Sequence, residues 1–136
     1  MNHPKIIIVH CSASPNNKDI GTAEIRKMHL DRGWNDIGYH YVIRRSGELE
    51  IARPIHIMGA HVKGMNKDSI GICMIGLDKF EPEQFDTLLE LYTTLNKLFH
   101  ILPDKVYGHY EFTDRKTCPN IEMNMLRELL RTSIIS

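Results

Sequence analysis

Apolar positions along the chain follow two periods. Ile6, Ile7, Ile8 and Val9 form a continuous β-branched run, the pattern of a strand buried on both faces, and the predicted strand covers Lys5 to His10. Cys11 to Gly21 is a polar loop with Pro15 and two asparagines. Thr22 stands where a helix cap belongs, the helix runs to about Arg32, and Gly33 closes it. His40 to Arg45 and Glu48 to Ala52 read as two strands joined by a Ser46-Gly47 turn. Ser69 to Ile75 reads as a further strand, closed by Gly76. The period then lengthens. Pro82 stands at a helix start, and Phe85, Leu88, Leu89, Tyr92, Leu95, Leu98 and Phe99 recur at helical spacing between Gln84 and His100. A short strand, Lys105 to Gly108, and an amphipathic helix, Glu122 to Thr132, complete the order β-α-β-β-β-α-β-α. That order predicts an α/β fold in a single domain: a mixed central β-sheet flanked by about three α-helices. No repeat or linker divides the chain, so residues 1–136 read as one domain.

Composition narrows the function classes. A chain of 136 residues makes one domain that buries roughly two-thirds of its unfolded surface, without a disulfide to hold it. Seventeen basic residues balance seventeen acidic ones, which removes the electrostatic case for a nucleic-acid partner or an anionic membrane surface. No apolar run approaches membrane-spanning length, so no membrane insertion is expected. The run from Ile6 to Val9 is also too short for the core of a secretory signal, so synthesis in the cytoplasm without a signal peptide is expected. Three cysteines, Cys11, Cys73 and Cys118, are odd in number and widely spaced, which favours a metal role or a reducing compartment over a disulfide framework.

The chemistry-bearing residues gather at element ends. His10 closes the first predicted strand and His109 follows the last one, positions from which a rigid sheet can aim side chains into a shared cleft. Cys118 lies nine positions after His109, far enough for the loop to fold back beside it. Two imidazoles and a thiolate would suit zinc and leave a fourth position open, the catalytic pattern. Spacing alone does not separate this from a histidine bonded to backbone or a cysteine packed in the core, because no short Cys-x-x-Cys or His-x-x-x-His signature pins it.

The residues also carry a resemblance. Val9-His10-Cys11-Ser12-Ala13, Glu24-Ile25-Arg26, Gly33-Trp34 and Ile37-Gly38-Tyr39-His40-Tyr41 come first. Gly59-Ala60-His61, Gly64, Asn66, Ser69-Ile70-Gly71, Gly108-His109 and Lys116-Thr117-Cys118-Pro119 follow in order. Together they resemble the type-2 N-acetylmuramoyl-L-alanine amidases, a superfamily that includes phage lysozymes of the amidase kind and animal peptidoglycan recognition proteins. The resemblance spans about four-fifths of the chain. It implies a Zn2+ cofactor held by His10, His109 and Cys118, with Tyr39 and Lys116 as catalytic residues. It implies peptidoglycan or muropeptides as partner and substrate, a monomer, and an endolysin-like protein that reaches the wall after release.

These roles fit amide hydrolysis, which needs an activated water, a stabilised oxyanion and a proton for the leaving amine. A lysine ammonium serves the second and a tyrosine hydroxyl can hold and shuttle a proton. The blander readings are a core aromatic for Tyr39, with Tyr39, Tyr41 and Ile43 alternating onto one strand face, and a solvated loop charge for Lys116. The resemblance sets His61 and Asn66 beside the substrate, where His61 contacts it or bonds to backbone, and Asn66 binds it or shapes a turn. Strand alternation turns His40 away from Tyr39 and Cys11 away from a metal, and Cys73 reads as core. His3, His29, His56 and His100 carry no assigned role. Arg44, Arg45, Arg53, Lys63 and Lys67 each read singly as solvated surface, and at least one of them is expected to fix a stem-peptide carboxylate.

Three rival readings remain. A non-catalytic peptidoglycan-binding module typically lacks the cysteine, which is present here. A cytoplasmic muropeptide-recycling amidase uses an aspartate in its place. Some phage relatives also inhibit an RNA polymerase through an N-terminal extension. Few residues precede the first strand, so that partnership is not expected.

Overall fold

The computed structural model describes residues 1–135. Five strands form one sheet: β1 Ile6–Cys11, β2 Tyr41–Ile43, β3 Leu49–Ile51, β4 Ser69–Met74 and β5 Val106–Gly108, in the order β3-β2-β4-β1-β5. Three of the four pairings, β2 with β4, β4 with β1 and β1 with β5, are parallel, and β3 joins antiparallel through the hairpin. The helices are α1 Thr22–Asp31, α2 Pro82–Phe99 and α3 Met123–Ile135. This is the mixed α/β sheet and the element order that periodicity predicts. Two short 3-10 turns, Pro103–Lys105 and His109–Phe112, flank β5.

Burial explains the strand order. β1 and β4 are almost wholly buried, as continuous apolar runs in parallel strands must be. Ile7, Val9, Ile43, Ile70, Ile72 and Met74 face one side, against Leu88, Leu91, Tyr92 and Leu95 of α2 and Met123, Leu126 and Leu130 of α3. Val42 and Cys73 face the other side, against Ile25 of α1 and Ile37 of the loop that follows it. His10 pairs in register with Cys73, and neighbours in parallel register share a face, so His10 lies on the α1 side.

Local chemistry departs from the expected pattern in three places. Thr22 is the first helical residue, not the cap: Gly21 is the cap, its N–H donates to Glu24 Oε2 at 2.9 Å, and the Thr22 N–H donates to Glu50 Oε1 at 2.7 Å. Carboxylates thus satisfy the orphan donors that a threonine hydroxyl was expected to serve. On α2, Leu91 is buried and Leu98 is exposed, because the buried stripe drifts along the helix. The strand expected from His40 starts only at Tyr41, and Tyr39 packs against the α1-side cluster while Tyr41 and Ile43 serve the α2-side core. Tyr39 precedes the regular strand, so alternation does not govern it.

Candidate metal centre

The parallel pairing of β1 with β5 sets Val9 opposite Gly108. His10 and His109 therefore leave adjacent strands at the same carboxyl edge, the edge where α/β sheets place their sites. Their ring centroids are 4.7 Å apart. Cys118 arrives from the loop beyond. The Tyr110 N–H donates to the Cys118 carbonyl at 2.8 Å, and the Cys11 N–H donates to Cys118 Sγ at 2.9 Å. The candidate ligand atoms of His10, His109 and Cys118 all lie within 4.8 Å of one another.

Two devices hold this corner. A Cβ on Gly108 would sit 2.8 Å from Met123 Cγ and 3.0 Å from Pro119 Cδ, so the missing side chain lets α3 and the Cys118-Pro119 segment close over β5. The Gly108 N–H donates to Glu111 Oε1 at 2.9 Å, and Arg127 grips the same carboxylate with two bonds of 2.9 and 3.1 Å. That clamp fixes the 3-10 turn that begins at His109.

Electrostatics keep the imidazoles neutral. Burial, then the neighbouring His61 and His109, hold His10 well below the usual histidine value. Burial, with a smaller push from Lys116, lowers His109. Burial pushes His61 down to about 3. The side-chain hydrogen bond between the two cysteines, then burial, raises the Cys118 thiol, while the same bond draws Cys11 down to about 7. The Cys11 amide pulls Cys118 the other way, toward the thiolate that a cation would select. Two neutral imidazoles and a sulfur that a cation can deprotonate suit zinc, and three donors leave a coordination position for water or substrate.

His61 reaches this corner from the loop between β3 and β4. Its ring is buried, with Nδ1 2.9 Å from His10 Nε2 and Nε2 3.0 Å from Ser69 Oγ. Both ring nitrogens are therefore spent inside the protein. Gly71 makes the room: a Cβ there would lie 2.7 to 2.8 Å from three atoms of the His61 ring. Asn66 shapes the loop, its Oδ1 accepting the N–H groups of His61 at 2.8 Å and Val62 at 2.9 Å. His40 shares this face of the sheet, 5.9 Å from His61 between ring centroids.

A cleft of about 620 Å³ opens over the corner, lined among others by Trp34, His61, Asn66, His109, Arg115 and Lys116. Lys116 is exposed on its rim. Tyr39 is half-buried, its ring 5.1 Å from that of His10, and burial raises its hydroxyl well above the usual tyrosine value. Of the basic residues weighed for a carboxylate, Arg44 is engaged by Asp19 and Glu50, Arg45 by Glu81, Gln84 and backbone carbonyls, and Arg53 by the carbonyls of Ile37 and Met58. Lys63 lines the cleft and Lys67 a separate pocket. Arg115, Ser69 and the Glu111–Arg127 clamp were not singled out from sequence. Arg115 adjoins the Lys116-Thr117-Cys118-Pro119 motif, and Ser69 opens a quoted one, so adjacency was the available signal.

Comparison with known proteins identifies the family. Residues 1–121 match the family model described as N-acetylmuramoyl-L-alanine amidase. An endolysin of Enterobacteria phage K11 is 40% identical over 121 residues, covering 85% of this chain and 80% of that protein. The N-acetylmuramoyl-L-alanine amidase LysC from Clostridium intestinale superposes with a TM-score of 0.86 at 26% identity, over 96% of this chain and 87% of that one. A variant of Drosophila peptidoglycan-recognition protein LB, solved in complex with tracheal cytotoxin, superposes with a TM-score of 0.76 at 26% identity, over 88% and 76% of the two chains. The chain belongs to the N-acetylmuramoyl-L-alanine amidase family.

Proposed function

We propose that this chain is a zinc-dependent endolysin-type amidase that hydrolyses the amide bond between N-acetylmuramic acid and L-alanine in peptidoglycan. The observation that carries the reading is the convergence of His10, His109 and Cys118, with His109 also lining an open cleft. These three would hold the ion. When bound, zinc supplies a Lewis acid for the scissile carbonyl and lowers the pKa of a water toward ~7.

The chain's own residues do the rest. Lys116 on the rim presents an ammonium to the carbonyl oxygen as it gains negative charge. Tyr39, whose hydroxyl keeps its proton well past neutrality, orients the attacking water and relays a proton toward the departing alanine nitrogen. Lys63 and Arg115 offer exposed cations along the cleft to the carboxylates of a stem peptide. The endolysin relatives support action on the wall, and the complex of a neighbour with tracheal cytotoxin supports a muramyl-peptide ligand. The metal donor set favours catalysis over recognition alone. No helix among the described residues is long and apolar enough to cross a membrane.

The test is digestion of purified peptidoglycan, read by mass spectrometry, with and without a chelator. Release of stem peptides beginning with L-alanine, stopped by the chelator and restored by zinc, is expected. Binding to peptidoglycan without cleavage would leave a recognition module, and cleavage of soluble fragments alone would leave a recycling enzyme.

A further inference from the structure

We propose that His61 is a positioning residue for His10: a one-way hydrogen-bond chain from Asn66 through Ser69 and His61 keeps the His10 proton on Nε2 and leaves its Nδ1 lone pair open to His109 and Cys118. The inference rests on reading His10 as a metal ligand.

The chain's direction follows from what each group can do. The Asn66 carbonyl can only accept, and Ser69 Oγ donates to it at 3.1 Å. A serine hydroxyl has one proton, so Ser69 Oγ accepts at its other short contact, from His61 Nε2–H at 3.0 Å. A neutral His61 with its proton on Nε2 has only a lone pair at Nδ1. At 2.9 Å that lone pair accepts from His10 Nε2–H. Neutral His10 is then left with its Nδ1 lone pair unspent. The opposite tautomer would put a proton where a cation must bind.

The surroundings enforce this order. Ser69, His10 and His61 are all buried, so water does not compete for the bonds. The His61 ring is wedged between two glycines: a Cβ on Gly59 would meet His61 Cδ2 at 2.8 Å, and one on Gly71 would meet the ring at 2.7 Å. Two backbone N–H groups bound to Asn66 Oδ1 fix the loop that carries it. The adjacent His40 has its own partners, with Nε2–H donating to the Ile57 carbonyl at 2.8 Å and Nδ1 accepting the Gly71 N–H at 3.0 Å. It therefore takes no part in the His61 bonds. Imidazole ligands commonly need such a partner on the far nitrogen to fix tautomer and ring plane.

The test uses the full chain, first without metal. Two-bond 15N–1H correlation of the histidine rings is expected to show Nε2–H for both His10 and His61. Zinc affinity is then measured by competition with a chromophoric chelator for wild type, His61→Asn, His61→Gln and His61→Leu. An asparagine Oδ1 falls close to the position of Nδ1 and can still accept from His10, whereas a glutamine amide reaches toward Ser69 instead. His61→Leu and His61→Gln are expected to lose about 10- to 100-fold in affinity, and His61→Asn to recover most of it. Ser69→Ala, a smaller change, is expected to give mixed His61 tautomers and an intermediate affinity. Nδ1–H on His10 in the wild type, unchanged zinc affinity in His61→Leu, or an asparagine variant no better than leucine would each overturn the proposal. A wild type that takes up no zinc sinks the metal reading instead, and the tautomers, read without metal, tell the two failures apart.

Discussion

The amide of Cys11 donates to Cys118 Sγ at 2.9 Å, joining residues 107 positions apart in sequence. A buried strand thus holds the candidate sulfur by its own backbone. Cys118→Ala is expected to lose zinc and turnover while keeping a cooperative thermal transition; against the metal-free wild type it should cost about 1–3 kcal/mol, because the buried Cys11 N–H loses its acceptor. Metal analysis and calorimetry check it. A collapsed transition would make the ion structural.

Five histidines sit in surroundings that lower their affinity for protons: His10, His29, His40, His61 and His109, with burial the largest cause for each. Their unfolded value is 6.5, and above it neither state is protonated, so they leave stability unchanged there. Below it the unfolded chain gains protons that the folded chain refuses, and stability falls as pH drops. Each such proton steepens the fall by up to about 1.4 kcal/mol per pH unit, with half-buried His109 contributing less. The metal-free protein should therefore weaken between pH 6.5 and 5, and His61→Asn should flatten that slope by about one proton. Denaturant titrations across this range measure both.

The Glu111 carboxyl behaves in the opposite sense. Burial alone would raise it, but the bond from Arg127 and the Gly108 amide outweigh burial and hold it below its ordinary 4.5. A depressed folded value means that its stabilisation is complete above 4.5 and lost as pH falls through the folded value. Arg127→Leu should cost roughly 1–2 kcal/mol and loosen the turn that carries His109. Weaker zinc binding in that variant, despite the distance of Arg127 from the cluster, is the outcome that supports a clamp. Unchanged zinc binding would confine Arg127 to stability.

Gly71→Ala tests the room left for His61. Its Cβ would press on the ring at 2.7 to 2.8 Å, and the ring has little space to retreat, being pinned at both nitrogens. A loss of about 1–3 kcal/mol is expected, together with weaker zinc binding. Retained zinc affinity would show that the ring can shift without disturbing His10.

Much of this was legible in the chain. Ile6 to Val9 announces a strand buried on both faces, and β1 is that strand. The run from Phe85 to Phe99 announces α2 through its period, and only the drift that buries Leu91 and exposes Leu98 was hidden. Charge and turn chemistry were harder to read, because they depend on partners distant in sequence. Glu50 serves the first turn of α1 from 28 positions away, so Thr22 looked like a cap when it is not. The order of the sheet sets β1 beside β5, and that pairing, not any spacing, brings His10 to His109. His61 was visible as a cleft residue. Its two bonds were not, since they require the β4 backbone to pass beneath its ring at Gly71.

Tyr39 and Lys116 differ in what surrounds them, and their variants should differ accordingly. Tyr39 is half-buried beside His10, with its hydroxyl held in the protonated form by burial. Lys116 is exposed on the rim, next to the loop that delivers Cys118. Tyr39→Phe keeps the ring and removes only the hydroxyl, so zinc content and fold should persist while kcat falls. Lys116→Ala removes the charge proposed to meet the oxyanion, and kcat should fall by roughly 100- to 1000-fold with little change in KM. Loss of a purely ground-state contact would instead raise KM and leave kcat intact. Measuring kcat and KM on a soluble muropeptide, with zinc content determined for each variant, separates these cases. If both variants turn over like the wild type, the oxyanion must be stabilised by the metal and backbone alone, and neither side chain belongs to the catalytic machinery.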